Sequence, residues 1–97
     1  MIPKKEILET LNRYKNSNQS KYGIKRIGVF GSVSRGEEHE QSDVDVIVEL
    51  EKQDLFYLIG IKQDLEEQLR LPVDIVSYRE HMNPFLKKRI DKEASYV

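Results

Sequence analysis

The sequence predicts an α/β fold in which helices pack on a small β-sheet. Stretches with helical apolar spacing alternate along the chain with short runs of β-branched and apolar residues. Glycine, proline or polar clusters separate most of these stretches. The 97 residues are long enough for one hydrophobic core but too short for a second substrate domain. We therefore expect a single domain over residues 1–97.

The first predicted helix opens at Pro3, because proline suits the first turn of a helix. Its end is placed in the polar cluster from Asn16 to Ser20. A mixture of β-branched and aromatic residues then predicts a first strand from Ile24 to Phe30, which stops at Gly31. The apolar positions with helical spacing in the first helix are Ile7, Leu8, Leu11 and Tyr14.

A turn follows the first strand at Gly31-Ser32. Residues Ser34 to Gly36 form at most a short helical segment, and Glu37 to Gln41 read as a polar, acidic loop. The second strand is predicted from Val44 to Leu50.

The second half of the chain begins with Asp54, which is a good amino-terminal cap for a helix. That helix is expected to run to about Arg70 and to be stopped by Pro72. A third strand is predicted from Val73 to Ser77, and a closing helix from Pro84 to Ala94. The apolar face of the capped helix comprises Leu55, Leu58, Ile59, Ile61, Leu65 and Leu69; Phe56 and Tyr57 fall off this stripe and are either additional core, which we favour, or a contact surface.

Composition excludes several classes of protein. The chain contains no cysteine, so neither a disulfide framework nor a thiolate zinc site is available. The longest apolar stretch, Leu55 to Ile61, is far short of the roughly 20 residues that a membrane helix needs. No signal peptide is recognisable at the amino terminus. We expect a soluble cytoplasmic protein without a membrane partner.

The charge of the chain and its distribution indicate which kinds of partner the protein can bind. A net charge of −1 argues against a binder of nucleic acid polymers, whose affinity would come from many phosphate contacts. Residues 1–26 hold seven Lys or Arg and two Glu, whereas residues 37–54 hold eight Asp or Glu and one Lys. We interpret the acidic stretch as the rim of a metal site joined to a solvated loop.

Three carboxylates lie within apolar, strand-like runs. Asp43 and Asp45 flank Val44, and residues two apart on a strand emerge on the same face about 6.5 Å apart. Asp74 lies in the third predicted strand. Unit charges about 4 Å apart repel by roughly 4 kcal/mol at an effective dielectric near 20, so such a cluster suits a divalent cation. Hard oxygen ligands with positions left for phosphate describe a Mg²⁺ site.

Each part of this pattern has an ordinary structural explanation as well. Glycine lets a backbone approach phosphate closely, yet Gly31-Ser32 is equally an ordinary turn with a serine cap. The Asp43 and Asp45 pair could be a solvated strand end, and Asp74 could cap a helix or pair with a basic residue. Arg35 suits phosphate geometry but could pair with a neighbouring glutamate. The two histidines, His39 and His81, are read as exposed loop residues outside the site.

In combination these residues resemble the minimal nucleotidyltransferase (MNT) family of the DNA polymerase β superfamily. Gly31-Ser32 is followed after ten residues by Asp43-Val44-Asp45, and Asp74 comes later in Val73-Asp74-Ile75. The resemblance spans nearly the whole chain, with one departure at Ser34, where alanine is common. It implies a polymerase β-like core, a small mixed β-sheet with helices packed on it in the order αβαβαβα.

The resemblance also implies a role for each site residue. Asp43, Asp45 and Asp74 would be the catalytic and metal-binding residues, with two Mg²⁺ ions and ATP as the substrate. Asp74 would also help to activate the attacking hydroxyl. Gly31 and Ser32 would hold the triphosphate, and Arg35 is a further candidate.

Family members typically pair with HEPN-domain ribonuclease toxins. The resemblance therefore implies an adenylyltransferase that adds AMP to a tyrosine of a HEPN toxin and serves as its antitoxin. One alternative is a non-catalytic antitoxin that masks its partner, and a weaker one is transfer to a small molecule. A homodimer or a hetero-oligomer could form through the Leu55 to Leu69 helix.

Overall fold

Four strands form the sheet in the part of the chain that the structure describes: β1 (Ile24–Phe30), β2 (Val44–Leu50), β3 (Val73–Ser77) and β4 (Ser95–Tyr96). This computed structural model describes residues 2–34 and 43–97, and only the backbone of Ser32. The strand order is β3-β2-β1-β4. β1 is antiparallel to β2 and β4, whereas β2 and β3 are parallel. The predicted α/β fold with a small mixed sheet is confirmed.

The helices of the described residues are α1 (Lys4–Tyr22), α2 (Gly31–Ser34), α3 (Leu55–Leu69) and α4 (Pro84–Glu93). They alternate with the strands, as the order αβαβαβα requires, and β4 follows α4. Within residues 2–34 and 43–97, no helix is both long and apolar enough to span a membrane.

The sheet separates two apolar clusters. Val44, Val46 and Val48 alternate along β2 and face a core that α1 and α3 cover. The intervening Ile47 belongs to the opposite cluster, together with Phe30 and with Ile90 of α4. Because alternate strand residues point to opposite faces, the odd-numbered residues of β2 lie on the face covered by α4.

The end of α1 differs from the prediction. The polar cluster from Asn16 to Ser20 lies inside the helix, where the Asn18 side chain donates to the Tyr14 carbonyl oxygen at 3.1 Å. Burial of Tyr22 in the last turn outweighs the weak helix propensity of Asn and Ser. Gly23, with φ at 64°, ends the helix in the left-handed conformation.

The start of α3 confirms one prediction and corrects another. Asp54 is the cap, and its carboxylate accepts hydrogen bonds from the backbone N–H groups of Phe56 and Tyr57. The preference for additional core at these two positions was wrong, because Phe56 is 81% exposed and Tyr57 is 36% exposed. The helix ends at Leu69, close to the predicted end at about Arg70, and Arg70 caps it with a left-handed φ of 57°.

The short strand β4 was not predicted, since two residues carry no recognisable period. It pairs with β1 through Gly28 opposite Tyr96 and Val29 opposite Ser95. A Cβ at residue 28 would collide with the backbone of Ser95, so glycine allows the carboxyl-terminal segment to approach β1. Ser34, the departure from the family pattern, donates through Oγ to the carbonyl oxygen of Glu93 and ties α2 to α4.

Candidate active site

Two of the three predicted carboxylates lie side by side. Asp45 of β2 is in register with Asp74 of β3. In-register residues of neighbouring parallel strands share a face and are separated by the inter-strand spacing of about 4.8 Å. Asp43 comes directly before β2, two positions from Asp45. Asp45 and Asp74 are therefore at one edge of the sheet, where β2 and β3 begin, and Asp43 adjoins the same end of β2.

Gly31 places the end of β1 against this edge. Phe30, the last residue of β1, is paired with Asp45. Gly31 then turns the chain into α2 with φ at 72°, a conformation that side chains rarely adopt. A Cβ at residue 31 would collide with Oδ2 of Asp45. Glycine is therefore required twice here, for its backbone conformation and for the space that the carboxylate occupies.

The described structure tests the remaining predicted residues only in part. Ser32 follows Gly31 in α2, but its side chain lies outside the described residues. Arg35, His39 and the acidic loop also lie outside them. His81 is exposed in the segment between β3 and α4, as predicted for a loop residue.

The start of β3 is held by α3. Oε2 of Glu66 accepts a hydrogen bond from the backbone N–H of Val73 at 3.0 Å. Lys62, one turn earlier, places Nζ 3.1 Å from the same oxygen. The hydrogen bond from Val73, followed by the contact with Lys62, lowers the pKa of Glu66. Since Val73 directly precedes Asp74, Glu66 fixes the backbone from which that carboxylate projects.

Helix α4 brings a cation to the same edge. The Nη2 atom of Arg89 lies 3.5 Å from the point where a Cβ of Gly31 would stand, the point that Oδ2 of Asp45 also crowds. Sequence reasoning missed Arg89, because three cations follow one another from residue 87 to residue 89. Only the packing of α4 through the buried Ile90 decides which of them faces the site.

The donor set suits a magnesium ion in its chemistry. Carboxylate oxygens are the ligands that Mg²⁺ prefers, and Asp43 and Asp74 are exposed. Among the described side chains, no group of three or more His, Cys, Asp or Glu is close enough to hold a metal ion as it stands.

Comparison with known proteins also indicates a nucleotidyltransferase. The nucleotidyltransferase domain family matches residues 11–97. The protein adenylyltransferase MntA of Thermococcus cleftensis is 36% identical over 98 residues, covering 100% of this chain and 98% of that protein.

Solved structures share the fold. A proposed minimal nucleotidyltransferase is 37% identical with a TM-score of 0.73, covering 93% of this chain and 95% of that one. A chain in the complex of tri-AMPylated Shewanella oneidensis HEPN toxin with its MNT antitoxin has a TM-score of 0.71 and 19% identity. That match covers 96% of this chain and 70% of the other.

Fold and site together define an enzyme of the nucleotidyltransferase class. The chain belongs to the nucleotidyltransferase domain family, within its minimal nucleotidyltransferase group.

Proposed function

We propose that this protein is a Mg²⁺-dependent adenylyltransferase that transfers AMP from ATP to a tyrosine hydroxyl of a HEPN-domain toxin and acts as its antitoxin. The observation that carries the proposal is the register of Asp45 with Asp74 beside the Gly31 turn. The name of the Thermococcus cleftensis relative supports the adenylyl group. The complex that contains an AMPylated HEPN toxin supports the partner.

The reaction is a displacement at the α-phosphorus of ATP. The attacking hydroxyl oxygen forms the new bond to phosphorus, the bond to the bridging oxygen breaks, and pyrophosphate leaves. Such a step needs positioning and neutralisation of charge more than covalent help from the protein. In this proposal, Gly31 and Ser32 hold the phosphate tail, and a carboxylate oxygen of Asp74 accepts the hydrogen bond and then the proton of the attacking hydroxyl.

Asp43, Asp45 and Asp74 would together hold the magnesium ions. When bound, Mg²⁺ neutralises the charge of the phosphate oxygens and orients them for displacement. The three carboxylates supply the negative charge that retains it, and Glu66 keeps the third of them in place by fixing the start of β3.

Labelling with two forms of ATP tests this function. The chain is incubated with Mg²⁺, its HEPN partner and ATP carrying the label at either the α- or the γ-phosphate. Label from the α-position should remain on the partner, and label from the γ-position should not. Asp45→Asn should lower the labelling by about a hundredfold or more. Glu67→Gln, which neutralises an exposed carboxylate of α3, is the matched control and should label normally.

A partner that gains no α-label, or an Asp45→Asn variant that labels as well as the unaltered chain, would show that the proposal is wrong. Intact-mass measurement of the labelled partner counts the AMP groups, and peptide mapping shows whether they are on tyrosine.

A second function is favoured by the exposed apolar residues at the start of α3, where Leu55 is 68% and Phe56 81% exposed. Such a surface suits a module that neutralises its partner by masking it. The double variant Asp43→Asn with Asp45→Asn separates the two functions. Neutralisation of the toxin should persist in this variant if masking suffices, and should fail if transfer of AMP is required.

A further inference from the structure

We propose that Arg89 of α4 binds the phosphate tail of the nucleotide at this site. The proposal rests on the function proposed above and adds a residue that its sequence pattern does not contain. Nη2 of Arg89 and Oδ2 of Asp45 both lie within 3.5 Å of one point beside Gly31. The guanidinium therefore stands directly at the turn where the triphosphate is proposed to lie.

Contacts with Glu93 and Phe30 help to hold the arginine side chain in this position. Its Nε donates to Oε2 of Glu93, one turn further along α4, at 3.3 Å. The guanidinium carbon also lies 5.9 Å from the centroid of the Phe30 ring. A guanidinium has five N–H donors in a fixed fork, so a bond through Nε leaves capacity for phosphate oxygens. Glu93 is thus a positioning residue for Arg89.

The charge and the exposure of Arg89 favour binding of an anionic ligand. A triphosphate is strongly anionic, and it would approach an edge that already carries three carboxylates. A fixed cation beside Gly31 offsets part of this repulsion before and during binding. The Arg89 side chain is 48% exposed, so an incoming phosphate can reach it. The neighbouring Lys87 is directed elsewhere, with Nζ 5.9 Å from the centroid of the Tyr78 ring.

A purely structural role for Arg89 is the competing explanation, because the residue forms an i,i+4 pair with Glu93. An exposed pair of this kind adds little to the stability of a helix. The two explanations differ in what they predict for ligands with and without a phosphate tail. A phosphate-binding residue changes the affinity for ATP and leaves that for adenosine unchanged. A structural residue changes both affinities together, or neither.

The test is calorimetric binding of ATP with Mg²⁺, and separately of adenosine, to the full chain. Arg89→Ala should weaken ATP binding about tenfold to a hundredfold, the range of a charge-assisted, bidentate contact. Adenosine binding should change by less than about twofold. Arg89→Lys keeps the charge without the fork and should fall between the two. Lys88→Ala removes one positive charge from the adjacent position of α4 and should bind ATP normally.

In the transfer assay, Arg89→Ala should raise the KM for ATP more than it lowers kcat. Unchanged ATP affinity in Arg89→Ala, with normal binding and transfer by the unaltered chain, would overturn this inference and leave the proposed function standing. Equal losses for ATP and adenosine, or an Arg89→Lys variant as weak as Arg89→Ala with a lowered melting temperature, would overturn it in favour of a structural role. An unaltered chain that binds no ATP would overturn both proposals.

Discussion

The carboxylate of Asp45 occupies the space that a side chain on residue 31 would need. Gly31 also has a φ of 72°, so two independent requirements meet at one glycine. The end of β1, the start of α2 and the first acid of β2 are thereby held within a few ångströms of each other.

Gly31→Ala should therefore displace Asp45 as well as strain the backbone. The left-handed conformation alone costs an L residue about 1–2 kcal/mol. A shift of the carboxylate by about 1 Å is enough to lower transfer by about a hundredfold. Gly23→Ala is a matched control, because residue 23 has a φ of 64° but its added Cβ would meet only ordinary contacts with Glu51, the nearest at 3.5 Å. Gly23→Ala should lose the stability that corresponds to the backbone strain, Gly31→Ala should lose at least as much in urea unfolding, and only Gly31→Ala should lose activity. Equal activity in the two would contradict the role of Gly31.

Glu66→Ala should lower transfer about tenfold, because the backbone N–H of Val73 loses its acceptor and the start of β3 is released. Glu66→Gln keeps an oxygen for that N–H and should retain most activity. Lys62→Ala removes the ion pair but leaves the bond to Val73, so it should behave like Glu66→Gln. Initial rates of labelling, with melting temperatures alongside, compare the three variants. A Lys62→Ala variant as impaired as Glu66→Ala would assign the effect to charge and not to the position of β3.

The stability of the protein should fall at alkaline pH. Burial, followed by the hydrogen bond to Asp64, raises the pKa of Tyr14 far above its ordinary value of 10.0. Above pH 10 the unfolded chain releases this proton and the folded chain retains it, so stability is full below that pH and is lost as pH rises. The expected slope is about 1.4 kcal/mol per pH unit for each such group.

Tyr14→Phe should flatten this alkaline slope while costing about 1 kcal/mol at neutral pH through the lost hydrogen bond. Part of the slope should remain, because the pKa of Tyr78 is raised by its hydrogen bond to Asp91 and that of Tyr96 is raised by burial. Urea unfolding between pH 8 and pH 11 measures both effects. Identical slopes in the two proteins would rule out Tyr14 as a contributor.

Phe56→Ser should weaken the complex with the toxin without unfolding the chain, because this ring is 81% exposed at the start of α3. That surface follows the carboxyl end of β2, roughly 17 Å along the strand from Asp45. Phe56→Ser should therefore affect binding of the partner but not the transfer step. The KM for the partner should rise about tenfold, as is common when an aromatic contact buried in an interface is lost, and kcat should change little. Phe85→Ser is the matched control, with a ring that is 86% exposed on α4, the helix on the other face of the sheet. Equal effects of the two substitutions would argue against a specific surface on α3.

Local sequence patterns were sufficient to predict most of the helices and strands. β1, β2 and β3 begin and end where their β-branched runs do, and Asp54 caps α3 as its residue type indicates. The end of α1 was missed because the burial of Tyr22 depends on segments distant in the sequence. The strand β4 was missed because it depends on the close approach of the Ser95 backbone to Gly28.

The sequence by itself determined which residues are candidates for the chemistry: two acids two positions apart at the start of β2, a third acid on β3, and the glycine before the turn. Strand alternation and residue type are properties of a few neighbouring residues, so they can be read along the chain. Tertiary structure alone decided that Asp45 is in register with Asp74, that its carboxylate fills the space beside Gly31, and that Arg89 is the cation of α4 at this edge. Strand pairing and helix packing join residues far apart in the sequence, and the free energy of burying both faces of the sheet selects among the arrangements that local patterns leave open.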